Sequence, residues 1–269
     1  IMSLVKEPEV KSQFVAETDN QQKLGRILVL NDAAHSLGAW YKKGMRTGSE
    51  TDIAIFSLHA VKNVTTAEGG AICLNLPEPF NNEALYSELH RMSLNCQTKD
   101  ALSKSKAGGW RFDVVGFGMK INLADVNASI GLAQIRKYEK LLTERKRVFE
   151  TYDKAFSKYE WAILPQAEVG DKKTSYHIYA LRIKDFTEEL RDAMIEEITT
   201  KEVAVNVHFI PMPMLSFFKQ LGYNIEDYQV AYNNYKHEIS LPIYPQLTEE
   251  EVDYVIESVI EAYEKVKPQ

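Results

Sequence analysis

The residues most able to do chemistry fall just after apolar runs. Asp32 follows Arg26-Ile27-Leu28-Val29-Leu30 and Asn31, with His35 three residues on. Ser57 and His59 stand at the end of Ile53-Ala54-Ile55-Phe56-Ser57-Leu58, and Lys62 comes next, ahead of Asn63-Val64-Thr65-Thr66-Ala67-Glu68-Gly69-Gly70. Open α/β sheets bind ligands at such strand ends. A lysine amine can form an imine with an aldehyde. A carboxylate beside a pyridine nitrogen keeps that nitrogen protonated, and hydroxyls with backbone N–H groups hold a phosphate. Lys62, Asp32 and Ser57 supply one group of each kind, which is the set a pyridoxal phosphate (PLP) site needs. The Gly69-Gly70 pair lets the backbone pass close to a ligand.

Taken one at a time, each residue has a plainer reading. An Asp after a strand often only forms a turn or caps a helix. A lone Lys is usually a solvated charge. A Gly-Gly pair usually marks a turn. Asp32-x-x-His35 could be a metal pair, but no further residues with ligand spacing accompany it, and no metal is expected.

The elements that must position these residues read as follows. Arg26–Leu30 is a short apolar run, the pattern of a strand buried on both faces of a parallel sheet. Ile53–Leu58 is a second such strand and Gly70–Leu76 a third, ending at Pro77 and Pro79. Helical spacing follows over Asn82–Leu94. Residues 125 to about 156 form one or two long helices, with Val126, Ile130, Ala133, Ile135, Tyr138 and Leu142 near a 3.6 period. Residues 177–183 and 203–209 alternate as strands, with a helix over 187–199 between them. Thr248-Glu249-Glu250-Glu251 is a capping box that opens a final helix. Residues 1–135 are thus read as a large α/β domain, and 136–269 as a long linking helix and a small α+β domain. The first two dozen residues are polar and show no clear period.

Composition narrows the function. The 269 residues carry 45% hydrophobic and 26% charged side chains, the balance of a soluble globular protein. A net charge of -6 disfavours nucleic-acid binding, which needs a basic surface. The two cysteines, Cys73 and Cys96, form no CxxC pair and read as reduced cytoplasmic thiols. No apolar run is long enough to span a bilayer. No GxxxxGK[ST] or GxGxxG supports a P-loop or Rossmann nucleotide binder.

The segments Asp32–Ala39 and Phe56–Gly70 together resemble the DegT/StrS family of PLP-dependent nucleotide-sugar aminotransferases. Gly118–Leu132 resembles the family segment before its long helix, and Leu241-Pro242-Ile243-Tyr244-Pro245-Gln246-Leu247-Thr248 its C-terminal signature. The resemblance implies fold type I, the aspartate-aminotransferase-like fold, here as part of the large domain plus the small one. It implies Lys62 as the Schiff-base lysine and proton-moving base, and Asp32 at the pyridine nitrogen. His35 would lie beside them and Ser57 at the phosphate. Lys120 or Asn122 would reach the phosphate of a neighbouring subunit in a homodimer. His208 matches a histidine near the sugar, and His59 is assigned to the substrate with it. The implied reaction moves an amino group, from an amino acid such as glutamate, onto a keto nucleotide-sugar, alternating PLP with its amine form PMP. Such chemistry serves polysaccharide or secondary-metabolite sugar synthesis in the cytoplasm. Family dehydratases replace the lysine, typically by His, so Lys62 argues for the aminotransferase branch.

The chain departs from the family in three places. Met212-Pro213 stand where a second His is usual, and Asn95-Cys96-Gln97 where a His-Gly is usual. The family also carries a phosphate loop, a ring-stacking aromatic and several strands before the segment matching Ile27–Leu30. The chain therefore reads as truncated at its N-terminus. The alternative function is a catalytically incomplete remnant that only dimerises or binds ligand.

Overall fold

The computed structural model describes residues 1–99, 101–105 and 110–268. The chain divides into two compact units, Ile1–Lys137 with Asp171–Ser175, and Tyr138–Gly170 with Tyr176–Gln269. It is an α/β protein, with helices interleaved among short strands.

The first unit is built on β1 (Leu30–Asp32), β4 (Ile53–Ser57) and β5 (Gly70–Leu74), in the order β1-β4-β5. β1 and β4 are parallel, with Leu30 opposite Ile53 and Asp32 opposite Ile55. β5 runs antiparallel to β4, so the sheet is mixed, not parallel throughout as its apolar runs suggested. Between these strands, β2 (Trp40–Lys42) and β3 (Met45–Arg46) form a hairpin, and the returning residue Lys173 pairs with Trp40.

The expected doubly buried strand over Arg26–Leu30 is shorter and more exposed. It begins at Leu30, which is 54% exposed, and Ile27 and Leu28 are exposed too. A side chain takes the place of the ladder here. Asp52 accepts the Val29 N–H at 2.9 Å and holds the buried Arg26 guanidinium at 2.6 and 2.7 Å. β5 also stops short, at Leu74, and the Asn75 amide turns to the Gly48 and Thr51 carbonyls.

The long periodic stretch forms two helices, α3 (Asp125–Arg136) and α4 (Tyr138–Phe156), broken at Lys137. Their apolar faces differ in fate. α3 buries only Gly131 and leaves Val126, Ile130, Leu132 and Ile135 exposed. α4 buries Val148, Phe149, Tyr152 and Phe156 in the second unit's core, a helical spacing that presents one face. Earlier, α1 (Asp19–Leu24) carries a capping box from Thr18 to Gln21, in a region that shows no period in sequence. α2 (Asn82–Met92) is capped by Asn81.

In the second unit, β6 (Ala162–Ile163), β7 (Tyr179–Ile183) and β8 (Glu238–Leu241) form an antiparallel sheet in the order β8-β7-β6. α5 (Glu188–Thr199), α6 (Gln229–Tyr235) and α7 (Glu249–Val266) complete the unit, and the Thr248–Glu251 capping box opens α7 as expected. The expected strand over 203–209 does not form. Asn206 makes one bridge to Ser240, and the next N–H but one, that of His208, goes to the Glu238 carboxylate at 2.9 Å. A side-chain acceptor again displaces the ladder.

Candidate active site

The loop after β4 is closed on itself. Thr66 donates its N–H to the Leu58 carbonyl at 2.9 Å, Leu58 donates to Gly69 at 2.9 Å, and Lys62 donates to His59 at 3.0 Å. A Cβ on Gly69 would meet the Thr66 hydroxyl at 2.3 Å, so any other residue there would displace the Thr66 side chain. Asn127 of α3 ties the loop down through the Thr66 carbonyl at 2.6 Å.

This closure aims Lys62 at His35. The Lys62 Nζ and His35 Nε2 atoms are 2.6 Å apart, and both side chains are half-buried. One nitrogen must accept, so the pair cannot hold both groups as protonated donors. His35 is fixed from behind. The Ser175 hydroxyl donates to its carbonyl at 2.8 Å, and the buried Asn63 amide donates to the Ser175 carbonyl at 2.7 Å. The returning segment thus clamps the histidine turn and the lysine loop. Neither Asn63 nor Ser175 announced this in sequence, because their separation of 112 positions leaves no local pattern.

Asp32 and Ser57 are related through the sheet register. Asp32 is opposite Ile55, and Ser57 lies two residues further on, so both side chains share one face of the sheet. That face also carries Leu30, Ile55 and Ile72 and is open, whereas Ala54 and Phe56 are buried on the other side. The exposed Asp32 carboxylate accepts the Ala34 N–H at 3.1 Å, and the Ser57 hydroxyl oxygen accepts the His59 N–H at 3.3 Å. The sheet and loop therefore assemble the carboxylate, hydroxyl and amine in one unit.

The remaining expected residues form separate groups. His59 stands 3.5 Å from Glu68, both exposed. Lys120 donates to Asn122 at 2.6 Å on the exposed segment that pairs with residues 92–98. Gly118 in that segment approaches so closely that a Cβ would lie 2.4 Å from the Cys96 nitrogen. His208 belongs to the second unit. Its Nδ1 lies 2.7 Å from the Ser240 hydroxyl, which donates in turn to Glu238. Burial raises the Glu238 carboxyl above the ordinary range, against the Ser240 hydroxyl bond, the His208 N–H bond and the Arg191 charge. Sequence reading missed Glu238 and Ser240. Their signal was two polar residues alternating with Ile239 and Leu241 in a short β-type run.

The sequence profile of the DegT/DnrJ/EryC1/StrS aminotransferase family matches residues 18–260. The chain is 32% identical over 237 residues to the spore coat polysaccharide biosynthesis protein SpsC of Bacillus subtilis, covering 87% of this chain and 59% of that protein. It is 31% identical over 252 residues to a UDP-4-amino-4,6-dideoxy-N-acetyl-beta-L-altrosamine transaminase of Campylobacter jejuni, covering 93% of this chain and 62% of that protein. Among solved structures, the putative sugar aminotransferase Spr1654 of Streptococcus pneumoniae in its PMP-form superposes with a TM-score of 0.91 at 37% identity. That match covers 98% of this chain and 65% of the other, and the PLP-form of the same protein gives a TM-score of 0.90. The chain thus spans about three-fifths of the length of these relatives.

Proposed function

The chain belongs to the DegT/DnrJ/EryC1/StrS aminotransferase family, and we propose that the protein transfers an amino group from an amino acid, glutamate in the first instance, to a keto nucleotide-sugar. The observation that carries this reading is the Lys62–His35 contact at 2.6 Å beside a sheet face that bears both Asp32 and Ser57. The transaminase relative acts on a UDP-amino-sugar and SpsC serves spore coat polysaccharide, which supports a role in polysaccharide or secondary-metabolite sugar synthesis.

The residues fit pyridoxal phosphate. Lys62 offers the amine for its aldehyde, Asp32 the carboxylate for its ring nitrogen and Ser57 a hydroxyl for its phosphate. When bound, the cofactor supplies an electron sink for charge that develops at the substrate carbon. The chain's own residues do the rest. His35 holds the Lys62 amine in position through Nε2, and Ser175 and Asn63 hold His35. Once free, the Lys62 amine is the base that moves a proton at the substrate carbon. Lys120 or Asn122 would reach the phosphate of a partner subunit in a homodimer, and His208 and His59 are the residues assigned to the sugar. In this reading residues 1–135 are the cofactor-binding domain and 136–269 the small domain. Among the described residues no helix is long and apolar enough to cross a membrane.

Absorbance tests the reading. Added pyridoxal phosphate is expected to give a visible band in the parent chain and none in Lys62→Ala. Amino transfer should fall at least ~10²-fold in the variant, the range of a lost general base. No band in either protein would overturn the enzyme assignment in favour of a chain that only binds ligand or dimerises.

A further inference from the structure

A cavity of about 800 Å³ in the first unit takes no part in the reaction proposed above. It lies at the end of the sheet away from Asp32 and Ser57. Arg26 and Asp52 line it, and they come before β1 and β4, whereas Asp32 and Ser57 close those strands. Asn75 also lines it. That residue follows β5, whose last residue Leu74 is opposite Ile53, the first of β4. The wall is pinned. Arg26 and Asp52 are 5% and 1% exposed and hold each other at 2.6 and 2.7 Å. The Asn75 amide donates to the Gly48 and Thr51 carbonyls at 2.6 and 3.2 Å.

Charge at this wall is unbalanced. Lys6, Lys11 and Lys42 join Arg26 as cations, against the carboxylates of Glu50 and Asp52. Asp52 is already committed, since it holds Arg26 and takes the Val29 N–H at 2.9 Å. The three lysines are exposed, and their amines make no hydrogen bond or ion pair among the described residues. Four cations against two carboxylates leave an excess of two positive charges around one hollow, in a chain whose net charge is -6. Like charges gathered around a concavity focus their field on it, and an anion relieves their repulsion. A lysine ammonium meets phosphate as a point charge. The hollow also has an apolar side, made by Leu24, Tyr41 and Met45. Its volume is that of a small-molecule site and far exceeds what a bare ion fills.

We propose that this cavity binds a small organic phosphate, with its dianion held by Lys6, Lys11 and Lys42 and its organic part laid against Leu24, Tyr41 and Met45. Binding there uses none of the residues assigned to amino transfer.

Titration calorimetry of the full chain tests this with phenyl phosphate and inorganic phosphate. The chain is first loaded with pyridoxal phosphate and dialysed, so that the phosphate position at Ser57 is filled. Phenyl phosphate is expected to bind more tightly than inorganic phosphate, and both should weaken as sodium chloride is raised. Lys11→Gln and Lys42→Gln should each weaken phenyl phosphate about two- to fivefold, the range of an exposed ion pair. The triple variant Lys6→Gln, Lys11→Gln, Lys42→Gln should weaken it at least about tenfold. A control triple, Lys154→Gln, Lys158→Gln, Lys219→Gln, removes the same charge from the second unit and should change binding by less than about twofold. Tyr41→Ala should abolish the preference for the phenyl ester and leave inorganic phosphate unchanged. All six lysines are exposed, so these variants keep the fold. No binding by the parent, equal losses in the two triples, or a Tyr41→Ala variant that binds phenyl phosphate as the parent does overturns the proposal. A chain that takes up no pyridoxal phosphate would count against the amino-transfer reading alone, because the two triples still locate the site.

Discussion

The two units of the chain are stabilised in different ways. The second has one continuous apolar core from Val148 to Ala262, with Phe149 edge-on to Tyr179 at 4.8 Å and Trp161 stacked on Tyr263 at 4.3 Å. The first has a small buried cluster of Ala33, Ala54 and Phe56, backed by Leu37 and Cys73. Many of its large apolar side chains lie on the surface, with Phe117 91% and Val126 73% exposed. Order in that unit comes instead from polar devices: the buried Arg26–Asp52 pair, the Asn63–Ser175–His35 clamp and the close backbone at Gly69 and Gly118. The unit that holds the proposed catalytic lysine is the one with the thinner core. The proposed homodimer would cover part of this exposed apolar surface. A site whose groups are set by hydrogen bonds over a thin core can be completed by a partner, whereas a unit with its own core needs none.

The largest consequence is for fragments. Residues 138–269 are expected to melt cooperatively on their own, with Asp171–Ser175 retained as a loop, because their core lies within the fragment. Residues 1–137 should lose heat-induced cooperativity and bind a hydrophobic dye. Calorimetry and dye fluorescence on both fragments check this. Two equally sharp transitions would break the contrast drawn between the units.

Within the first unit, Asp52→Ala should cost about 3–5 kcal/mol, since it leaves the Arg26 guanidinium buried without its partner. Urea unfolding measures it. The pair also predicts acid behaviour. Burial alone would raise the Asp52 carboxyl, but the Arg26 hydrogen bonds, the Val29 N–H and the Arg26 charge outweigh it and hold the carboxyl below its ordinary range. The pair's contribution is therefore present above the unfolded value of about 3.9 and is lost as pH falls through the lower folded value. The parent should lose stability across that window faster than the variant. A cost under about 0.5 kcal/mol, the range of ordinary surface changes, would show that the polar devices are not what holds this unit.

The same division governs what could be read from sequence. Asp32, Ser57 and Lys62 stood out because strand ends are marked by apolar runs, and register then placed Asp32 and Ser57 on one face. The Thr248 capping box was legible because capping is local. Two of the failures share one cause, a side-chain acceptor from far along the chain. Asp52 shortened the strand expected over 26–30, and Glu238 dissolved the one expected over 203–209. Alternation at 203–209 is real, but it cannot show that a carboxylate thirty residues away takes the N–H. The helices α3 and α4 lie in one continuous helical pattern yet differ in burial, since a period reveals that a face is apolar and not what covers it. Ser175 lay wholly outside local reasoning.

The two capping boxes give the smallest and cleanest test. Thr18 and Gln21 cap α1, which buries no residue of its own, while Thr248 and Glu251 cap α7, which buries Val252, Val255, Ile256 and Val259 in the core. Both threonines accept the N3 N–H, at 3.3 and 3.2 Å, so the local chemistry is nearly matched. What differs is the coupling of each helix to the rest of its unit. Fraying at α7 releases core contacts, so Thr248→Ala should cost about 1 kcal/mol, seen as a lower urea midpoint at unchanged slope. Fraying at α1 releases none, and Thr18→Ala should stay within about 0.5 kcal/mol. Equal losses at the two sites would mean that α1 is as tightly coupled as α7, and that the first unit draws cohesion from its N-terminal helices that its buried cluster does not reveal.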